Sequence, residues 1–114
     1  MSSAPEPSKT RRLISQLLLE DGDLRDIVEE FVAGLSSRIT ELLNAHDQLD
    51  WDRLTLLAHQ LKGAAGSYGY PEISRLCADL EARCRRHEAD VFGQRIAELK
   101  ALADAARDGL SSPD

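Results

Sequence analysis

The stretch AHQLKGAAGSYGY, residues 58–70, holds the chain's best candidate for chemistry. His59 is followed by Lys62 and Gly63, one helical turn on, and by Gly66 a turn later. A neutral imidazole offers a nitrogen lone pair, and a ring of ordinary pKa, about 6.5, is mostly neutral at physiological pH. Such a ring can attack a phosphoryl group and later return it. A lysine at i+3 lies within reach of an anion attached to that ring. A glycine at i+4 removes the side chain that would stand in the way of an approaching partner, although glycine inside a helix costs about 1 kcal/mol relative to alanine. Bearing that cost beside a histidine points to access. GAAGSYG does not serve as a phosphate-binding loop, because no strand precedes it and no lysine follows it. Nor does an acidic cluster for Mg²⁺ stand out, so the remaining groups needed for phosphoryl transfer are expected from a partner.

The helix that positions His59 is legible around it. With Leu54 at 0° and about 100° per residue, Leu57, Ala58, Leu61 and Ala65 fall within about 60° of one direction. His59 falls near 140°, Gly66 near 120° and Gly63 near 180°, with Lys62 at the boundary near 80°. His59 therefore points outward, with Gly63 beside it. Asp50 is the expected N-cap of this helix, which fades around Gly66–Gly69.

Four further helical segments surround it. The first spans about 10–20, pairing Leu13 with Leu17 and Ile14 with Leu18, and ends at the EDGD turn, where Asp23 is the expected cap. The second runs as one helix over about 24–44, with an apolar arc from Leu24 to Leu42, and Asn44 as its stop. Its edge from Ile27 to Leu43 is broad enough to leave apolar surface for a partner. Pro71 opens the fourth, in which Ile73, Leu76, Cys77, Leu80 and Cys84 face inward. The fifth covers about 88–107, with Phe92, Ile96, Leu99, Ala103 and Ala106 on one stripe. Short breaks make neighbouring helices antiparallel, which predicts an all-α, up-down-up-down four-helix bundle with a short additional N-terminal helix over 10–108. Residues 1–9 and 109–114 are expected to be disordered.

Composition narrows the function classes. A net charge of −6 argues against a nucleic-acid partner. The Arg11-Arg12 pair and the cluster of Arg83, Arg85 and Arg86 are too short to reverse that and read as solvated helix faces. No apolar run approaches the roughly 20 residues that span a bilayer, and no signal peptide opens the chain, so a cytoplasmic protein without membrane attachment is expected. Cys77 and Cys84 lie about 10 Å apart along one helix, too far for the roughly 7 Å limit of a disulfide, and read as buried reduced thiols. His46, near a helix end, and His87, in a polar connector, read as solvated. Tyr68 and Tyr70 read as packing and turn residues. No second His or Cys shares the His59 face at ligand spacing, so no metal site is expected.

Residues 58–81, AHQLKGAAGSYGYPEISRLCADLE, resemble the core of the histidine-containing phosphotransfer (HPt) domains of multistep two-component relays. The pattern His-x-Leu-Lys-Gly, small residues with a further Gly, and a helix ending in a Leu-Glu pair stands here as His59, Leu61, Lys62, Gly63, Gly69, Leu80 and Glu81. LDWDRL before it is similar to the family's opening of the same helix. The resemblance implies that His59 is phosphorylated, that Lys62 supports the phosphoryl group and that Gly63 gives steric clearance. It further implies response-regulator receiver domains as donor and acceptor, bringing the aspartate and Mg²⁺, and a hybrid sensor histidine kinase upstream. On this reading the chain is a monomeric, free-standing covalent carrier rather than an enzyme, with no bound cofactor, and Gly66, Gln60 and Thr55 are expected to meet the partner.

Other function classes make different predictions. A helical bundle that only binds receiver or kinase domains would keep its activity in His59→Gln. A sensor-kinase dimerisation domain would come with an ATP-binding domain, for which these residues leave no room. A hydrolase with a nucleophilic histidine would turn over substrate alone, and no triad partner stands at a readable spacing.

Overall fold

A computed structural model describes residues 12–111 of the chain. Among the described residues all regular structure is helical: α1 (Gln16–Glu20), a 3₁₀ turn (Gly22–Leu24), α2 (Arg25–Ala33), α3 (Leu35–Asp47), α4 (Trp51–Ser67), α5 (Pro71–Arg85) and α6 (Phe92–Leu110). The stripes of Val28, Leu35, Leu54, Leu61, Ile73, Leu80 and Leu99 meet in one core and are fully or almost fully buried. α4 packs most closely on α5, α3 on α4, and α6 on α5, α3 and α2. Among the described residues no helix is long and apolar enough to cross a membrane.

α4 begins and ends where its sequence requires. The Asp50 carboxylate accepts from the Arg53 N–H at 3.1 Å, satisfying one of the unpaired donors of the first turn. Its other end closes at Gly69, whose φ of +88° is the left-handed conformation that glycine takes without strain. The Gly69 and Tyr70 N–H groups reach back to the Gly66 and Ala65 carbonyls. Pro71 then occupies the first turn of α5, where its missing N–H costs nothing.

Five expectations need correction. The first helix is shorter than 10–20. Ser15 is its N-cap, accepting from the Leu18 N–H, while the Leu13 and Gln16 N–H groups are drawn to the Ala105 and Gly69 carbonyls instead of a helix. Asp23 is not the next cap: the Asp21 carboxylate accepts from the Asp23 N–H at 3.0 Å and caps the 3₁₀ turn. The second helix is two, α2 and α3, divided at Gly34, whose N–H is shared between the Glu30 and Phe31 carbonyls in a tightened turn. α3 also passes Asn44 to Asp47, closing through Leu49 at φ 53°. The last helix begins at Phe92 and continues past residue 107 to Leu110, so Gly109 and Leu110 are helical rather than disordered. A Cβ at Gly109 would run into the Leu13 carbonyl, so the close approach there requires a glycine, and the Arg25 guanidinium donates to the Leu110 carbonyl. The expectation for 1–9, and the last residues of the expected tail, 112–114, lie outside the described residues.

The side histidines and tyrosines have definite places. His46 is not merely solvated: its ring stacks on Phe92 at 4.0 Å. His87 is exposed but stacks on Trp51 at 5.0 Å. Tyr68 and Tyr70 both stack on Phe31, in line with a packing role. Cys77 and Cys84 are free and buried, and burial pushes the Cys77 thiol up to about 12.

Candidate functional site

The outer face of α4 carries His59 mid-helix, with 57% of its side chain exposed. It is not isolated. Nδ1 lies 3.0 Å from Oε2 of Glu81, on the neighbouring helix α5. Glu81 is almost completely buried, its side chain 4% exposed, and it gathers two cations as well. Lys62 Nζ stands 2.8 Å from Oε1, and Arg85 Nη2 stands 2.6 Å from Oε2. α5 presents Glu81 at this point because it follows Cys77 by four residues and precedes Cys84 by three, on the helix's inward stripe. A second tie fixes the spacing of the two helices: Ser74 Oγ donates to the Lys62 carbonyl at 2.9 Å.

A buried carboxylate survives in ionised form only when it is paired. The hydrogen bond from Lys62 is the largest influence and lowers the Glu81 carboxyl below its usual range, against the opposing effect of burial. His59 and Arg85 act in the same direction as Lys62. An ionised carboxylate is an acceptor only, so the proton between the two residues belongs to His59 Nδ1. In the neutral ring this leaves the lone pair on Nε2, on the side away from the buried carboxylate. Glu81 thereby sets both ring orientation and tautomer.

Gly63 keeps the approach open. A Cβ built there meets nothing within 4 Å, so packing does not demand a glycine at this position. Gly66 differs, since a Cβ there would touch Ser74 Oγ at 3.5 Å, the contact across which α4 and α5 close together. On the other side of His59 lies a concavity of about 420 Å³ walled by Trp51, Thr55, Leu56, Arg85 and His87. Thr55 is turned partly inward, its hydroxyl donating to the Trp51 carbonyl, and Leu56 is 53% exposed. Gln60 is exposed on the same helix.

The residues singled out by their sequence spacing, His59, Lys62 and Gly63, share one surface. That spacing did not bring in Glu81, noted only within a family-like Leu-Glu pair, or Arg85, read as part of a solvated face; the structure pairs both with this surface. The available signal was Glu81 itself: a lone acidic residue on the otherwise apolar stripe of Ile73, Cys77, Leu80 and Cys84.

A family model for the Hpt domain matches residues 26–109, the stretch from the start of α2 to the end of α6 that contains His59, Lys62, Gly63, Glu81 and Arg85. No curated protein and no solved structure gives a match. Hpt domains are phosphocarriers that act in histidine phosphotransfer in two-component systems. Matched over most of its length, and with its candidate histidine exposed on a helix face beside a lysine and a glycine, the chain belongs to the Hpt domain family.

Proposed function

We propose that His59 is the phosphoryl-carrying residue, taking its group from the aspartyl phosphate of one receiver domain and giving it to the aspartate of another. The observation that carries this reading is the 3.0 Å contact between His59 Nδ1 and the buried Glu81 carboxylate, which leaves Nε2 as the exposed nucleophile. Nε2 attacks phosphorus, the N–P bond forms, and the bond from phosphorus to the aspartate oxygen breaks, with the electron pair leaving on the donor's carboxylate. No proton has to move, because Nδ1 keeps its hydrogen. The ring gains positive charge as the N–P bond forms, and Glu81 lies against Nδ1 to stabilise it. Lys62, paired with Glu81 beside the ring, adds positive charge close to the phosphoryl group. The return step reverses these events on a second receiver.

In this reading the aspartate and Mg²⁺ belong to the partner, and this chain supplies nucleophile, charge and an unobstructed surface. The carrier is a cytoplasmic monomer, its four long helices arranged up-down-up-down, and Gly66, Gln60 and Thr55 border the docked partner. A hybrid sensor histidine kinase stands upstream. The test is transfer of radiolabelled phosphate from a phosphorylated receiver domain with Mg²⁺. Wild-type protein should take up label that is lost in acid and survives base, and His59→Gln should take up none. Label on the variant, or none on either protein across several receivers, would leave only a binding role.

Gly63 provides a test in which stability and function move in opposite directions. Gly63→Leu relieves the glycine penalty within α4 at a position where a Cβ meets nothing within 4 Å, so thermal stability should rise by about 0.5–1 kcal/mol. The same side chain stands one turn from His59 and should slow transfer on the order of 100-fold by holding the partner off. Thermal melts and transfer rates on one preparation check both; unchanged transfer would remove Gly63 from the site.

A further inference from the structure

Glu81 holds an arrangement that the carrier role alone does not use: one of its oxygens, Oε2, serves both His59 Nδ1 at 3.0 Å and Arg85 Nη2 at 2.6 Å. These two nitrogens thus lie within about 6 Å of each other, and Arg85 and His59 wall the same concavity. The Arg85 side chain is 63% exposed, and Nη2 is the nitrogen that meets Glu81. Lys62, only 35% exposed, holds the other oxygen. Glu81 has two cations where one would neutralise it, and the more exposed of them is the one beside the ring.

We propose that Arg85 is an exchangeable counter-ion of the phosphorylation cycle, paired with Glu81 when His59 is free and turning to the phosphoryl group when His59 is loaded. A dianionic group on Nε2 offers a planar, forked donor more charge than a carboxylate that Lys62 still holds. The move costs little, because the guanidinium is already hydrated and swings on a flexible stem. It also leaves Glu81 with one cation fewer at the moment when the phosphorylated ring is positive. Arg85 thereby favours the phosphohistidine over the free histidine, and so sets how the phosphoryl group divides between this chain and a receiver. Only the difference between its interactions in the two states counts.

This proposal rests on His59 being the carrier, and the experiment separates the two. Wild type, Arg85→Gln and Arg85→Lys are each brought to equilibrium with one phosphorylated receiver domain and Mg²⁺, and the label on each partner is counted. Arg85→Gln should shift the distribution about fivefold toward the receiver, the range of a partly exposed ion pair, and Arg85→Lys should recover part of that shift. In parallel, the Arg85 guanidinium resonances of ¹⁵N-labelled wild-type protein should move on phosphorylation, a readout that a purely structural Arg85–Glu81 tie would not give. Wild type that loads normally, with a distribution unchanged in Arg85→Gln and guanidinium resonances unmoved by loading, overturns the exchange and leaves the carrier reading standing. Wild type that accepts no label overturns both.

Discussion

Glu81→Gln should lower the rate of phosphoryl transfer onto His59 on the order of 100-fold while leaving the helices in place. The amide is nearly the same shape as the carboxylate, so the core around Leu80 and Cys84 has no cavity to fill. Lys62 and Arg85 are exposed enough to turn to water when the charge is removed. What the substitution removes is the requirement that Nδ1 carry the hydrogen. An amide can present its NH₂ to the ring, which then holds its proton on Nε2 and has no lone pair facing the partner. It also removes the negative charge that stabilises the ring as the N–P bond forms. Stopped-flow or quenched transfer from a phosphorylated receiver measures the rate, and circular dichroism checks the fold. A rate within threefold of wild type would show that Glu81 is a structural counter-ion and does not position the nucleophile.

Gly69→Ala should be strongly destabilising, costing about 2–4 kcal/mol and lowering the melting temperature by roughly 10 °C or more. The residue has φ +88°, where any Cβ is strained. Its surroundings add to that strain: a Cβ would come within 2.7 Å of Ser15 Oγ and 2.8 Å of the Gln16 nitrogen, with the Leu17 nitrogen closer still. These groups cannot withdraw cheaply. Ser15 Oγ donates to the Tyr68 carbonyl at 2.6 Å and the Gln16 N–H donates to the Gly69 carbonyl at 2.8 Å, which is how the segment before α1 is held on the turn between α4 and α5. Relief of the clash therefore detaches α1, and hydrogen exchange at Gln16 and Leu18 should accelerate together with the loss in melting temperature. An unchanged melt would mean that this turn adapts without the N-terminal contact.

The difference between what could and could not be read from the sequence follows the range of the interactions. Apolar periodicity is local, and it located the helices carrying Leu54, Leu61, Ile73, Leu80 and Leu99 because each buries one stripe. The relation of His59 to Lys62 and Gly63 is local too, one turn along α4. Glu81 meets His59 across 22 residues of sequence and Arg85 meets it through that carboxylate, so no spacing rule could join them before the two helices were paired. Helix ends failed for a related reason. α3 and α5 are closed by Leu49 and His87 at φ 53° and 56°, where the usual signal is a glycine. Gly34 divides α2 from α3 although the apolar arc runs through it unbroken. Gly109 read as the start of a disordered tail because the partner that requires a glycine there, the Leu13 carbonyl, arrives from the other end of the chain.

We propose that the tautomer set by Glu81 makes Nε2 of His59 the phosphorylated atom. The most direct test is NMR of the ¹⁵N-histidine-labelled protein before and after loading from a phosphorylated receiver. Before loading, at a pH where the ring is neutral, Nδ1 of His59 should carry the hydrogen and Nε2 should be bare. After loading, the phosphorus coupling should appear on Nε2 with the Nδ1 hydrogen retained. Phosphorus on Nδ1, or on His46 or His87, would contradict this account, because the contact between His59 and Glu81 would then have to be broken or irrelevant for transfer to occur.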